Sequence, residues 1–234
     1  MITTGVPTEV RDRLVLGLDV GGLAEAETIA ARLAPWFGLV KVGHELYAEA
    51  GPAAFDRMHE LGFRVFCDLK LHDIPNTVER AARAHARHGV ELMNAHAAGG
   101  ETMLRAFVNG AREGAADIGR PAPVTLAVTV LTSDPDAGAF EARLETARAA
   151  ECEGVVCSAL EAARPATIGL RAMVAGIRLA GSDANDQARV ASPSAAVAAG
   201  ADWIVLARTV TAADDPESAA QRAADEVAAA LARP

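Results

Sequence analysis

Eight short runs of β-forming residues, each followed by a segment with helical spacing, divide this chain, and that alternation narrows its fold more than any other feature. The runs are 13–19 (RLVLGLD), 39–42, 64–69, 91–95, 124–130, 154–157, 172–177 and 203–207. Helical patterns fill the intervals, among them 24–33, 52–61 and 75–88. In 52–61, Phe55, Met58 and Leu61 recur every three residues and give one buried stripe. The segment 75–88 opens on Pro75 and stops before Gly89, the asymmetry expected of a helix. The last helix begins at Asp214-Asp215-Pro216-Glu217, an acidic and capped N-terminus. No linker or low-complexity stretch divides the chain, and 119–123 (GRPAP) reads as a loop. Eight strand–helix units in a single domain spanning 1–234 predict an α/β protein, a (β/α)8 (TIM) barrel. A doubly wound open sheet is the alternative, and no Gly-x-Gly-x-x-Gly follows any strand to favour it.

Composition removes several functions. With 51% hydrophobic residues a sizeable core is available, but aromatics are only 4%, which argues against a stacking platform for bases. A net charge of −9 opposes non-specific binding to nucleic acid or to an anionic membrane. No apolar run approaches the ~20 residues of a membrane span. The first dozen residues lack the apolar core of a signal peptide. Cys67, Cys152 and Cys157 lie in or beside apolar segments and read as reduced, buried thiols, without the spacing of a zinc knuckle. The expected location is the cytoplasm, with neither nucleic acid nor membrane as a partner.

Chemistry in such a barrel sits at the C-terminal ends of the strands, and the polar residues concentrate there. Strand 1 ends at Asp19, strand 2 carries Lys41, and strand 3 carries Asp68 and Lys70. Strand 4 runs into Asn94 and His96, strand 5 into Thr132 and Ser133, and strand 6 ends at Ser158. Strands 7 and 8 end at Arg178 and Arg208. By two-residue alternation Asp68 and Lys70 share a face, and charges on a buried strand cost several kcal/mol each, roughly, unless well paired. Asp19, Lys41, Asp68, Lys70 and Asp73 are therefore expected to form an alternating chain of charge. Flanking carboxylates favour an ammonium at Lys70, the setting of a general acid and not of a Schiff-base nucleophile. Lys41 and Lys70 would repel a divalent cation, so no metal is expected. The loops after strands 7 and 8 commonly form phosphate sites, and Arg178, Gln187 and Arg208 supply donors there. His85 and His88, on a helix with Arg80 and Arg83, read as a solvated face, and His72 as structural or interfacial.

These motifs resemble the bacterial orotidine 5′-phosphate decarboxylase family over essentially the full chain. The block Asp68-Leu69-Lys70-Leu71-His72-Asp73-Ile74-Pro75-Asn76-Thr77 is similar to the family signature DxKxxDIPNT. Leu16-Gly17-Leu18-Asp19 and Val40-Lys41-Val42-Gly43 resemble its strand 1 and 2 motifs. Gly176-Ile177-Arg178, Asp186-Gln187 and Ala207-Arg208 resemble its phosphate-binding segments. The resemblance implies cofactor-free decarboxylation of orotidine 5′-monophosphate to UMP, the last step of pyrimidine synthesis, by a carboxy-lyase. It implies that Lys70 protonates C6, that Asp68 sits against the substrate carboxylate, and that Asp19 and Lys41 bind ribose hydroxyls. Thr132 would hold the pyrimidine, while Arg178, Gln187 and Arg208 hold the phosphate. Asp73 and Thr77 would reach into a neighbouring subunit's site, which implies a homodimer.

Two positions depart from the family pattern: Ala175 replaces a proline, and Ala207 replaces a glycine before Arg208. The methyl of Ala207 is expected to crowd the phosphate or shift its backbone donor, weakening substrate binding while activity is retained. A magnesium-dependent sugar-phosphate lyase of the same superfamily is the near alternative; it carries an acidic residue where this chain has Lys41. A non-catalytic phosphometabolite-binding barrel is the more distant one.

Overall fold

The computed structural model describes residues 5–134, 137–179 and 191–232. Eight parallel strands close into a barrel in chain order. They are β1 (Leu14–Leu18), β2 (Leu39–Val42), β3 (Arg64–Leu71), β4 (Leu92–His96), β5 (Val124–Val128), β6 (Gly154–Cys157), β7 (Arg171–Val174) and β8 (Trp203–Leu206). Pairing of β8 with β1, Leu14 opposite Ile204, completes the ring.

Alternation along each strand sends one set of side chains into the lumen and the other onto the helices. Val15, Leu39, Phe66, Leu92, Leu126, Met173 and Trp203 form the lumen cluster. Their neighbours Leu14, Leu16, Val40, Val65, Met93 and Val174 join the larger cluster beneath the helices. Both faces are dry, which is why the strands read as nearly continuous apolar runs. The amino end of the barrel is closed by Trp203, with the Arg171 guanidinium 3.8 Å from its ring centroid.

The helical layer comprises α1 (Thr8–Arg11), α2 (Leu23–Leu33), α3 (His44–Ala50), α4 (Ala53–Glu60), α5 (Pro75–Ala86), α6 (Gly100–Asp117), α7 (Phe140–Ala149), α8 (Ala163–Ala166), α9 (Pro193–Ala198), α10 (Arg208–Thr211) and α11 (Pro216–Leu231). Helix α11 is capped as its sequence predicts: the Asp215 carboxylate accepts from Ser218 N at 3.1 Å, with Pro216 in the first turn. Phe55 and Met58 bury the face of α4, and Leu61 packs just beyond its end. Gly110 and Gly114 of α6 lie against the backbone of α5. A methyl on either would stand 2.1 Å from Glu79 O or 2.3 Å from Arg83 O, so the two helices meet backbone to backbone.

One strand breaks the expected regularity. Strand β3 runs to Leu71, two residues past the run read from sequence, and its register with β4 shifts. Phe66 and Cys67 pair with Leu92 and Met93, but Leu71 pairs with Ala95, so β3 carries two more residues than β4 over the same span. Lys70 takes up the difference with φ +48°, a left-handed conformation that costs a non-glycine residue roughly 1–2 kcal/mol. Strict alternation, which placed Asp68 and Lys70 on one face, is therefore interrupted at Lys70.

Candidate active site

The carboxyl ends of the first four strands bring together an ion chain. Lys41 Nζ donates to Asp19 Oδ1 at 2.8 Å and lies 3.2 Å from Asp68 Oδ2. The other oxygen of Asp68, Oδ1, accepts from Lys70 Nζ at 2.6 Å and from Asn94 Nδ2 at 2.7 Å. Lys41 and Asp68 are buried, Lys70 is half-buried, and Asp19 stands at the mouth. Gly43 makes the Lys41–Asp19 contact possible, because a methyl there would meet Lys41 Nζ at 2.9 Å and Asp19 Oδ1 at 3.1 Å.

Burial and pairing oppose each other at both central charges. Burial alone pulls Lys41 toward the neutral amine, but the attraction of Asp68 and Asp19 outweighs it and holds its pKa above the ordinary lysine value. Burial likewise favours neutral Asp68, yet Lys41 and Lys70, with hydrogen bonds from Lys70 and Asn94, hold its carboxyl below the usual range. Pairing thus keeps the two central members, Lys41 and Asp68, in their charged forms despite burial. Such an arrangement offers a fixed carboxylate and ammoniums that no longer depend on solvent for compensation.

These groups form one wall of a cavity of about 280 Å³. Asp19, Lys41, Lys70, Thr132, Arg178, Ala207 and Arg208 all line it, with Val128, Val156 and Val205 as its apolar floor. Asp68 lies beneath that surface, held by the two lysines. The alternating chain expected from sequence ends at Lys70, because Asp73 is exposed and its Oδ1 accepts from Ile74 N at 2.6 Å. Thr77 is also exposed, in the first turn of α5. Gln187, with its neighbour Asp186, lies outside the described residues.

The sequence marked Asn94 and His96 as polar residues at the end of strand 4 without giving them a role, and it did not single out Arg143. Asn94 is 1% exposed and joins Asp68 to the Lys70 backbone, whose N–H it accepts at 2.8 Å. Its signal was a polar residue at lumen parity in an apolar strand. Arg143, on α7, donates to Thr129 O at 2.6 Å above the rim, and no local pattern marked it. His96, at the end of β4, faces His72 with ring centroids 5.5 Å apart. Burial, then His72, Lys70 and Arg143, hold the His96 imidazole below its ordinary pKa. The face read as solvated is partly packed: His85 meets Tyr47 edge-on at 5.4 Å and Phe55 at 6.2 Å, and burial lowers its pKa. His88 is also half-buried, its ring 6.1 Å from that of Phe55 and its Nδ1 3.3 Å from Asp56.

A closed (β/α)8 barrel with a compensated Asp–Lys–Asp–Lys chain at its carboxyl end has the architecture of a barrel enzyme, with polar groups gathered where such enzymes carry their sites. The family can be stated more narrowly. The model of the orotidine 5′-phosphate decarboxylase / HUMPS family matches residues 12–223, and the chain belongs to that family. The chain is 46% identical to an orotidine 5′-phosphate decarboxylase of Moorella thermoacetica, over 93% of this chain and 92% of that one. It is also 46% identical to one of Halorhodospira halophila, over 93% and 97%. A crystal structure of orotidine 5′-phosphate decarboxylase from Lactobacillus acidophilus superposes with TM-score 0.76 at 30% identity, covering 92% of this chain and 99% of that one. No helix among the described residues is long and apolar enough to cross a membrane.

Proposed function

We propose that this protein converts orotidine 5′-monophosphate to UMP and carbon dioxide, the closing step of pyrimidine synthesis, with protein side chains alone. The relatives carry that activity in their names, and the family description spans more than one. The observation that carries the reading is Lys70 Nζ, held 2.6 Å from a buried carboxylate at the wall of a cavity that Arg178 and Arg208 also line.

The chemistry follows from charge. The guanidiniums of Arg178 and Arg208, with Gln187, grip the 5′-phosphate, and Asp19 and Lys41 bind the ribose hydroxyls. Thr132 holds the pyrimidine. The substrate carboxylate is then pressed against Asp68, a repulsion relieved only when carbon dioxide departs. As the C6–carboxylate bond breaks, its electron pair stays on C6 and a proton from Lys70 Nζ forms the C6–H bond. The Lys70 ammonium stabilises that developing negative charge before it transfers the proton. Binding energy at the remote phosphate is available to offset the strain at the reacting carbon.

The sugar-phosphate lyase alternative needs a divalent cation at these carboxylates. Lys41 fills that place, between Asp19 and Asp68, and its charge opposes a cation. Asp73 and Thr77 flank Ile74, an apolar side chain 66% exposed, which supports a second subunit covering this edge and receiving Asp73 and Thr77 into its own site. The chain would then act as a homodimer in the cytoplasm.

An ultraviolet assay of orotidine 5′-monophosphate consumption, run in excess chelator, tests the reading. Wild type is expected to turn over, and Lys70→Ala to lose about 10²- to 10⁴-fold, the span of a general acid. No turnover by wild type, or strict dependence on added magnesium, would overturn it.

A further inference from the structure

Asn94 has no task in the chemistry above, yet it is buried and touches the two residues on which that chemistry turns. Its amide is used at both ends. Oδ1 accepts the Lys70 N–H at 2.8 Å, and Nδ2 donates to Asp68 Oδ1 at 2.7 Å. The two partners fix which end is which, since a backbone N–H requires an acceptor and a carboxylate requires a donor.

The register of the sheet explains why a side chain is needed. In an even ladder Asp68 would sit opposite Asn94, continuing Phe66–Leu92 and Cys67–Met93. The two extra residues of β3 take Lys70 off that ladder, with φ +48°, before pairing resumes at Leu71–Ala95. The Lys70 N–H leaves the strand pattern and is caught by Asn94. Lys70 is thereby held twice. Its backbone is bound to Asn94 directly, and its ammonium is bound to Asp68 Oδ1, which Asn94 also holds.

We propose that Asn94 is a positioning residue for the decarboxylation, an amide clamp that keeps Lys70 in its left-handed bulge and orients Asp68 between the two lysines. This rests on the roles proposed above for Asp68 and Lys70. Among the described residues, the remaining neighbours leave no substitute for it. Lys41 of β2 reaches the far oxygen of Asp68, β5 presents Leu126 opposite Asn94, and His96 lies two residues further along its own strand. Without the amide, Asp68 loses a fixed donor and the Lys70 backbone is free to return to an extended conformation, which turns Nζ away from the substrate.

The test compares Asn94→Ala and the isosteric Asn94→Asp with wild type and Lys70→Ala, by kcat, KM, melting temperature and pH–rate profile. Asn94→Ala is expected to lose about 100-fold in kcat, the scale of a small misplacement of a reacting group, while KM changes little because phosphate binding is remote. Asn94→Asp keeps the shape but sets a carboxylate against Asp68. Its rate is expected to be low at neutral pH and to recover toward acid, where the introduced carboxyl group gains a proton and can donate as the amide did. Asn94→Ala with kcat within about 3-fold of wild type would overturn the proposal, as would an Asn94→Asp pH profile parallel to that of wild type. Undiminished turnover by Lys70→Ala would instead overturn the role of the charged cluster itself. Loss in Lys70→Ala with full rate in Asn94→Ala removes the clamp alone.

Discussion

A methyl group built on Gly17 of β1 would lie 2.8 Å from the Cβ of Ala207, at the end of β8. The same methyl would stand 3.3 Å from Lys41 Cε. The absent side chain at Gly17 is therefore the space in which the Ala207 methyl sits, and the stem of Lys41 shares it. Gly17→Ala is expected to raise KM and to destabilise the fold by about 1–3 kcal/mol through overpacking. Ala207→Gly alone is expected to lower KM, and combined with Gly17→Ala to restore part of the loss. Steady-state kinetics and melting of the two single variants and the double variant measure that coupling, and additive effects would refute it.

The ion chain gives stability a defined pH window. Asp68 is held below the usual carboxylate range in the fold, so its contribution is full above the unfolded value of about 3.9 and fades as pH falls through the lower folded value. Lys41 is held above the ordinary lysine value, so its contribution is full below about 10.4 and fades as pH rises through the higher folded value. Melting temperature is expected to fall at both extremes. Asp68→Asn, which strips both lysines of their shared partner, should cost about 3–5 kcal/mol near neutrality and flatten the acid limb. An acid limb as steep as that of wild type would exclude Asp68 as its source.

Contact between α5 and α6 decides the sign of a substitution that helix propensity predicts the other way. Alanine is favoured over glycine inside a helix by roughly 1 kcal/mol. At Gly114 the new methyl would meet Arg83 O at 2.3 Å and Ala86 Cβ at 2.8 Å, and a backbone carbonyl cannot step aside as a side chain can. Gly114→Ala is expected to lower the melting temperature by several degrees, and to displace α5, whose first turn follows the Asp73–Ile74 edge. A raised melting temperature would show that the helices can part without cost.

Cys67 and Cys152 should be silent toward thiol reagents in the native protein. Burial pushes the Cys67 thiol far up, and lifts Cys152 to about 12, so neither offers a thiolate near neutrality. Treatment with iodoacetamide at about pH 8 should leave both unmodified by mass spectrometry until denaturant is added. Rapid native labelling of Cys67 would show that strand β3 opens.

The homodimer with shared sites proposed above makes a complementation test possible. In a hybrid of Lys70→Ala with Asp73→Asn chains, one site carries both lesions and the other carries neither. Random mixing of the two inactive variants after dissociation should restore about a quarter of wild-type activity, from half of the dimers with one intact site each. No recovery, with hybrid formation shown by a size or charge tag, would place Asp73 in its own chain's site or outside the chemistry.

Much of this was legible because the relevant physics is local. Short runs of β-forming residues, separated by segments of helical spacing, marked all eight strands, and β2 (Leu39–Val42) and β6 (Gly154–Cys157) coincide with the residues read. Asp19, Lys41, Asp68, Lys70, Thr132, Arg178 and Arg208 stood out as polar residues at the ends of apolar runs, and the fold gathers them at one mouth. The exposed edge from Asp73 to Thr77 is different, since nothing in the spacing separates a residue that closes its own ion chain from one that leaves it.

By itself the sequence determined the class of fold, the end of the barrel where charge collects, and which side chains carry it. Tertiary structure alone decided how those charges are held. The bulge that turns Lys70 to φ +48°, the capture of its N–H by Asn94 from the next strand, and the Gly17–Ala207 contact across the closing seam all depend on inter-strand register. Register is set by packing around the whole ring, and no window along the chain contains it.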